Sequence, residues 1–523
     1  MVGTVDDGFV GPKTLEAIRK QDPLRLLLDY DALARAVGPL SWLVKGTLPA
    51  QSIGSVYGAS GTFKSFIVLD ACLHLAHDQQ WLGRRTKGGG VAYVGIFDDA
   101  SDYYKPALVF FDRLLTYRQL QQQAERLAAR LAALGVRQGD RVLLDMQNCP
   151  QLVIAHFAIQ RANAVVVPVN PMNRAEELKH YITDPDVKVA ITTGDLAPEI
   201  VQANAGLPEA QRLSHLIVTQ FTDAFDPPGE GGLPLPAAWR DWLLTRHPLP
   251  ALPGGQVMAW TAALDNDLPL PPLAVGPDDL AVLPYTSGTT GLPKGCMHTH
   301  ATIMHNAVAG GLWGNTTFET VSLLAVPMFH ITGMVVVMHA GIYAGATLVL
   351  MPRWDRDLAG HLISRWKVTA WVNIPTMVID LLASPKFADY DLSSIVSISG
   401  GGAAMPQAVA QRLWEQYGLR YAEGYGLTET AAPSHNNPPD ATKQQCLGIP
   451  FLSCDARVID PETLKEVPVG EQGEIVIHGP MVFQGYWKRP DATAAAFIEL
   501  EGKRFFRTGD MGRVDEQGYF FMT

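Results

Sequence analysis

The sequence predicts an α/β protein of several domains, on three observations. The segment LTYRQLQQQAERLAARLAALGV places Leu120, Leu127, Leu131 and Leu134 along one face of a helix. After it, GDRVLLDM, a helix around Ala155–Ala162 and NAVVVPVN read as strand, helix and strand, the alternation from which helix-covered sheets are built. The chain has 523 residues, too long for one core, and a prior of about one domain per 150 residues suggests roughly three units.

Composition narrows the class. With 47% hydrophobic and 18% charged residues, the chain has enough apolar surface to bury, which argues against disorder. The 41 basic and 52 acidic residues are interspersed and sum to a net charge of −11, so nucleic acid is not the expected partner. Cys72, Cys149, Cys296, Cys446 and Cys454 are scattered, without CxxC pairs or zinc spacing, which fits free thiols in a reducing compartment. The opening MVGTVDDGFV lacks the basic and apolar regions of a signal peptide, and the reading is cytoplasmic. Val321–Pro352 carries no Asp, Glu, Lys or Arg and could span a bilayer, but Pro327, Gly333, Gly341 and Gly345 interrupt it and it holds His330 and His339. It predicts a buried strand, helix and strand, with peripheral membrane contact left open.

Three pieces follow one another. In residues 1–22, VDDGFVGPKTLEAIRK is a Gly-Pro turn leading into a short helix. It resembles the start of a peptidoglycan-binding domain, with a plain terminal helix as the alternative. In residues 23–105, SIGSVYGASGTFKSFIVLDACLHLA and GGGVAYVGIF read as strand, glycine loop, helix and strand. Gly58, Gly61, Lys64 and Ser65 match a phosphate-cradling loop, although Phe63 stands where that pattern has glycine. The piece resembles part of a RecA-like replication ATPase, with Asp98 and Asp99 at a strand end as candidate magnesium carboxylates. The third piece is residues 106–523, in which the run from about Thr222 to Pro272 reads as a proline-rich surface connection.

Tyr285–Gly295, YTSGTTGLPKG, packs the hydroxyls of Thr286, Ser287, Thr289 and Thr290, three glycines (Gly288, Gly291, Gly295) and Lys294 into one short stretch. Glycines let backbone N–H groups approach a polyphosphate, hydroxyls add donors, and the lysine offsets charge. Downstream, in order, come Pro327-Met328-Phe329-His330, Gly400 to Ala403, Tyr425-Gly426-Leu427-Thr428-Glu429-Thr430, Gly473-Glu474-Ile475, Gly485-Tyr486-Trp487 and Thr508-Gly509-Asp510. This set resembles the adenylate-forming superfamily of AMP-forming acyl-CoA synthetases, luciferases and peptide-synthetase adenylation domains.

The resemblance implies two α/β subdomains packed face to face, then a small β-rich subdomain from about residue 440, with ATP bound where the three meet. It implies that the loop, including Thr286, Ser287, Gly288, Thr289, Thr290, Gly291 and Lys294, handles the β- and γ-phosphates of ATP. His330 is implied beside the acyl carboxylate, and Gly401, Gly402 and Ala403 in the wall of the adenine and acyl pocket. Tyr425 and Gly426 are implied at the adenine, Thr428 at the phosphate, Glu429 on Mg2+ and Asp510 on the ribose. CoA is implied as co-substrate. The position after Phe329 carries no carboxylate to pair with an ammonium, which favours an acid without an α-amine. Gly400, Gly401 and Gly402 leave space along the pocket wall, and Trp313, Met334 and Met338 are apolar candidates for its lining, which suits a medium or long fatty acyl chain, with the methionines equally readable as core. Aryl-acid or luciferase-like activity is the alternative within the class. From other classes, a P-loop ATPase dependent on Lys64 and a cell-wall binding protein stand as rivals. The family continues beyond Gly518-Tyr519-Phe520-Phe521 into a hinge and small domain, whereas the chain ends at Thr523. The expectation is therefore adenylation much slower than in a complete enzyme and thioester formation near zero, in a fused or chimeric chain of undetermined oligomeric state.

Overall fold

A computed structural model describes residues 80–81, 84–85, 104–225, 227, 229, 232–286 and 291–523. The helix expected in residues 1–22 and the phosphate loop expected at Gly58, Gly61, Lys64 and Ser65 lie outside the described residues, as do Asp98 and Asp99. The described residues belong to one unit, Ser60–Thr523.

The amphipathic helix runs over Tyr117–Ala133 and starts at a capping box, in which the Thr116 hydroxyl accepts from Gln119 N–H and the Gln119 side chain accepts from Thr116 N–H. Leu120, Leu127 and Leu131 are buried, each burial contributing about 2 kcal/mol. Their face packs on the helix Pro150–Arg161, which is buried along its length up to Arg161. That second helix lies in a core shared by strand residues of two sheets, such as Val142 and Val166 from one and Leu323 and Val349 from the other. Inside it His156 Nε2 faces His339 Nε2 at 2.7 Å, so one ring donates and the other accepts.

The first sheet has seven strands in the order His298–Thr299, Leu280–Val282, Val165–Val169, Arg141–Asp145, Val189–Thr193, His215–Thr219 and Gln256–Ala259. All pairs are parallel except the first. The second has nine, in the order Ile449–Pro450, Ala432–Asn436, Tyr421–Leu427, Ser397–Gly401, Ala370–Asn373, Val321–Leu324, Thr347–Leu350, Pro106–Phe110 and Arg113–Thr116. Its middle is parallel and its edges antiparallel. Parallel strands are covered on both faces, which is why VVVPV is uniformly apolar, TLVL apolar after Thr347, and both buried along their length. The third sheet is antiparallel, built from Asp455–Ile459, Gly473–His478, Lys503–Val514, Phe497–Leu500 and Phe520–Met522. The expected architecture of two α/β layers and a β-rich unit is therefore present. The change of sheet falls between Pro450, still paired with His435, and Asp455, a little later than the expected residue 440.

Val321–Pro352 folds as expected into a strand, a buried helical segment over Thr332–Tyr343 and a strand, with Thr332–His339 wound as a π-helix. No helix among the described residues is long and apolar enough to cross a membrane. The stretch from Thr222 to Pro272 is more than a surface connection. It supplies the edge strand Gln256–Ala259 and the short helix Trp260–Leu264, and it buries Leu233, Leu235, Leu243, Trp260 and Ala263. Segments this short between Pro and Gly breakers show no readable period, and tertiary burial decides them.

Candidate active site

Parallel sheets present ligands at the carboxyl ends of their strands. In the nine-stranded sheet, four adjacent parallel strands end there at Leu324, Asn373, Gly401 and Leu427. His330, Gly402, Ala403, Thr428 and Glu429 follow these ends within a few residues.

Tyr425 and Asp510, far apart in sequence, meet: the Tyr425 hydroxyl donates to Asp510 Oδ2 at 2.6 Å. Burial and the neighbouring Asp510 carboxylate raise the phenol's pKa, so it keeps its proton and donates. Asp510 sits within the strand Lys503–Val514, at a bulge in its pairing that Glu474 organises. That buried carboxylate accepts from Gly509 N–H at 3.1 Å and pairs with the Arg507 guanidinium.

Glu429 lies on a single tight turn, Thr428–Thr430, after its strand, and is only 8% exposed. Its Oε1 accepts from the Tyr486 hydroxyl at 2.8 Å, while Oε2 has no hydrogen bond among the described residues. The turn is held from several sides. His298 Nε2 donates to Thr428 O at 2.6 Å and Phe483 N–H donates to Glu429 O at 2.8 Å. Asn306 Nδ2 lies within 2.9, 3.0 and 3.1 Å of the carbonyls of Thr430, Ala431 and Pro433. Ala431 and Ala432 have φ of 52° and 78°, a left-handed conformation that persists in non-glycine residues only where surroundings enforce it. Burial lowers the His298 pKa to about 4, so the ring is neutral at pH 7. Gly426 is required by this fold-back, because a Cβ there would sit 1.9 Å from Ala432 O.

The loop Tyr285–Gly295 rises as a hairpin in which Tyr285 pairs with Gly295 and Thr286 with Lys294. Ser287, Gly288, Thr289 and Thr290 lie outside the described residues. The Tyr285 hydroxyl donates to Asp184 Oδ2 at 2.7 Å and His180 Nε2 donates to Pro293 O at 2.7 Å. On the other side, backbone bonds join Trp487 to Gly295 and both Gln484 and Gly485 to Met297. This stitching carries Tyr486 under Lys294, whose Nζ lies 4.2 Å from the ring centroid. One ring thus bridges the loop cation and the Glu429 carboxylate.

Residues 99–487 match the family model described as AMP-binding enzyme. The chain belongs to the AMP-binding enzyme family. It is 33% identical over 429 residues to a long-chain-fatty-acid–CoA ligase of Bacillus subtilis (strain 168), covering 80% of this chain and 73% of that one. It is 33% identical over 409 residues to a feruloyl-CoA synthase of an Amycolatopsis species, covering 78% of this chain and 72% of the relative. Among solved structures, apo MatB from Rhodopseudomonas palustris matches with a TM-score of 0.68 at 27% identity, covering 82% of this chain and 76% of that one. The protein is an enzyme of ATP-dependent acid activation, a class that uses ATP and CoA.

The other candidate residues of this family member take the following places. Gly400 and Gly401 were expected to leave pocket space, but their missing side chains serve strand packing. A Cβ on Gly400 would lie 2.1 Å from both Asn373 O and the Tyr421 hydroxyl, and one on Gly401 would lie 2.5 Å from Gly424 O. Gly402, with φ +80°, and Ala403 are exposed, and a Cβ on Gly402 would reach ordinary contact with Ile374 at 4.0 Å. Met334 and Met338 are core residues, and Trp313 donates through Nε1 to Asn437 O at 3.0 Å. His330 is exposed at the head of the π-helix, where its Nδ1 accepts from Thr332 N–H at 3.3 Å. Desolvation by the surrounding protein lowers its pKa, leaving a neutral ring that carries its proton on Nε2.

The bridging of Tyr486, the clasp of His298 and Asn306, and the anchor Asp184 escaped sequence reading. His298 and Asn306 had one available signal, as two of six His, Thr and Asn side chains in the uncharged run HTHATIMHNAVAGGLW.

Proposed function

We propose that the chain activates a medium- or long-chain fatty acid, first as acyl-AMP and then as acyl-CoA. The convergence of Lys294 and Glu429 on the two sides of Tyr486, at the carboxyl ends of the strands, carries this reading. In it, Lys294 and the loop donors Thr286, Ser287, Gly288, Thr289, Thr290 and Gly291 meet the β- and γ-phosphates. Thr428 touches the phosphate. Tyr425 and Gly426 lie at the adenine, Asp510 at the ribose, and Gly401, Gly402 and Ala403 along the wall of the site.

Mg2+ fits the donor set. Glu429 offers one carboxylate oxygen with no hydrogen-bond partner among the described residues, and magnesium in nucleotide sites needs one or two carboxylates with the substrate's own phosphates. This also agrees with the absence, among the described residues, of a cluster of three protein ligands. Bound there, Mg2+ would neutralise charge on the phosphates. A carboxylate oxygen of the acid attacks the α-phosphorus, the α–β bridging bond breaks, and pyrophosphate leaves. Lys294 offsets the charge that grows on the departing oxygens. The CoA thiol, losing its proton, then attacks the acyl carbonyl and AMP departs. Neutral His330 is suited to hold the acid through Nε2–H without competing for the phosphates.

The absence of a carboxylate after Phe329 supports an acid without an ammonium, and the described cysteines, all free, support a cytoplasmic setting. A second reading, an aryl acid, is favoured by the feruloyl-CoA synthase relative at equal identity. The two are separated by thermal unfolding with non-hydrolysable dodecanoyl- and feruloyl-adenylate mimics. A ligand at about 100 times its Kd stabilises the folded state by roughly 2.7 kcal/mol. The fatty-acid reading expects the larger shift with dodecanoyl, reduced in Lys294→Ala. A larger feruloyl shift transfers the assignment to aryl acids, and no shift with either removes both.

A further inference from the structure

We propose that Tyr486 is a positioning residue that couples the loop cation to the metal-holding carboxylate, its hydroxyl fixing Glu429 and its ring seating Lys294. The proposal rests on the roles of Glu429 and Lys294 given above. Two groups of opposite charge act on one polyphosphate in that reading, yet they come from different parts of the fold. Lys294 stands on a hairpin attached to the seven-stranded sheet, and Glu429 on a turn of the nine-stranded one. Tyr486 comes from a third place, the segment leading from the antiparallel sheet's strand Gly473–His478.

The geometry joins them through one side chain. The hydroxyl lies 2.8 Å from Glu429 Oε1, and Lys294 Nζ lies 4.2 Å from the ring centroid. The ring is itself fixed, edge-on to Phe483 at 4.8 Å, and its backbone forms a bridge to Cys296, two residues after Lys294. Tyr486 N–H donates to the Thr493 hydroxyl at 2.9 Å. Burial and the Glu429 charge raise the phenol's pKa, so it remains a donor across the physiological range.

Two consequences follow from chemistry. The hydroxyl occupies Oε1 and fixes the rotamer, so that Oε2 is the oxygen presented to a cation. The ring face attracts the ammonium without neutralising it, as a carboxylate would, and so leaves its charge for phosphate. Tyr486 therefore sets metal dependence through its oxygen and phosphate binding through its ring, two functions that substitution can separate.

The test is calorimetric titration of the full chain with ATP, without metal and over a range of Mg2+ concentrations. Tyr486→Phe keeps the ring packed and removes only the hydroxyl. Its Mg2+ midpoint should rise roughly tenfold, the value of a hydrogen bond to a charged group, while metal-free affinity moves by less than about twofold. Tyr486→Leu should show the same midpoint shift and, in addition, lose about threefold in metal-free affinity. Glu429→Gln is the control that separates the two levels of argument. If it flattens the Mg2+ dependence while Tyr486→Phe leaves the midpoint unmoved, the positioning role is overturned and the Glu429 reading stands. If Glu429→Gln keeps the original dependence, Glu429 does not hold the metal and both readings fall.

Discussion

The two sides of the candidate site are held in opposite ways. Around Glu429, the carbonyls of Thr428, Glu429, Thr430, Ala431 and Pro433 face donors from His298, Phe483 and Asn306, all buried. Among its described residues, the Tyr285–Gly295 hairpin is gripped at its base, by Asp184, His180 and the strand-like segment at Gln484–Trp487. Beyond that base, Leu292 is 65% exposed and a Cβ on Gly291 would meet nothing within 4 Å. The carboxylate end is preorganised at the cost of two left-handed alanines, whereas the described part of the hairpin is held at its base and exposed beyond it. A catalytic carboxylate gains from being fixed before the ligand arrives; a loop of backbone donors gains from closing on it.

The largest expected effect comes from acid, because the rigid side and the core shared by the two sheets hold neutral histidines. Burial lowers His298 to about 4, and His339 and His435 each to about 3, against about 6.5 in an unfolded chain. Below pH 6.5 the unfolded chain takes up protons that the folded one refuses. Stability contributed by these groups is therefore complete above about pH 7 and falls as pH drops, by about 1.4 kcal/mol per unit for each histidine. At pH 5 the loss is about 2 kcal/mol per residue. Urea midpoints measured from pH 8 to 5 should fall steadily, and His298→Gln, which keeps a donor for Thr428 O, should flatten part of the slope. A midpoint constant down to pH 5 would contradict this account.

Next in size is Asn306→Ala, which strips the donor from three buried carbonyls and removes what holds Ala431 and Ala432 in their strained conformation. The expected loss is about 3 kcal/mol in urea unfolding, since each buried unsatisfied group costs about 1–3 kcal/mol. Magnesium-dependent stabilisation by ATP should be lost with it. If the variant keeps that stabilisation, the turn is not made rigid by Asn306, and the contrast between the two sides weakens.

How much of this was readable from sequence follows the same division between local and distant. The helix Tyr117–Ala133 showed itself through leucine spacing, and VVVPV and TLVL through continuous apolar runs, because one face or two faces of burial imprint a period on neighbouring residues. The family was readable from the density of glycine and hydroxyl around Lys294 at Tyr285–Gly295 and the motifs that follow it in order. The clasp was not, because Tyr486 reaches Glu429 across 57 positions and His298 reaches Thr428 across 130. Contacts of that separation leave no periodic trace. Gly400 and Gly401 misled for a related reason: a glycine signals close approach, but the sequence cannot say whether a ligand or a neighbouring strand makes it.

The smallest effect should come from the looser side, through Tyr285→Phe. The substitution removes the 2.7 Å hydrogen bond to Asp184 Oδ2 and leaves the ring against Tyr181, whose centroid is 4.9 Å away. Backbone pairing of Tyr285 with Gly295 remains, as does the grip of His180 on Pro293. The hairpin base should therefore loosen without opening, at about 1 kcal/mol in stability. ATP affinity should fall a few-fold in the presence and absence of Mg2+ alike, since in the proposed reading the loop meets phosphate and not the cation. A uniform fall of this kind separates the hairpin from the Glu429 turn, whose variants act through the metal. Were Tyr285→Phe as damaging as Asn306→Ala, or its effect confined to magnesium, the hairpin would have to be counted with the rigid side, and the division of labour drawn from their packing would not hold.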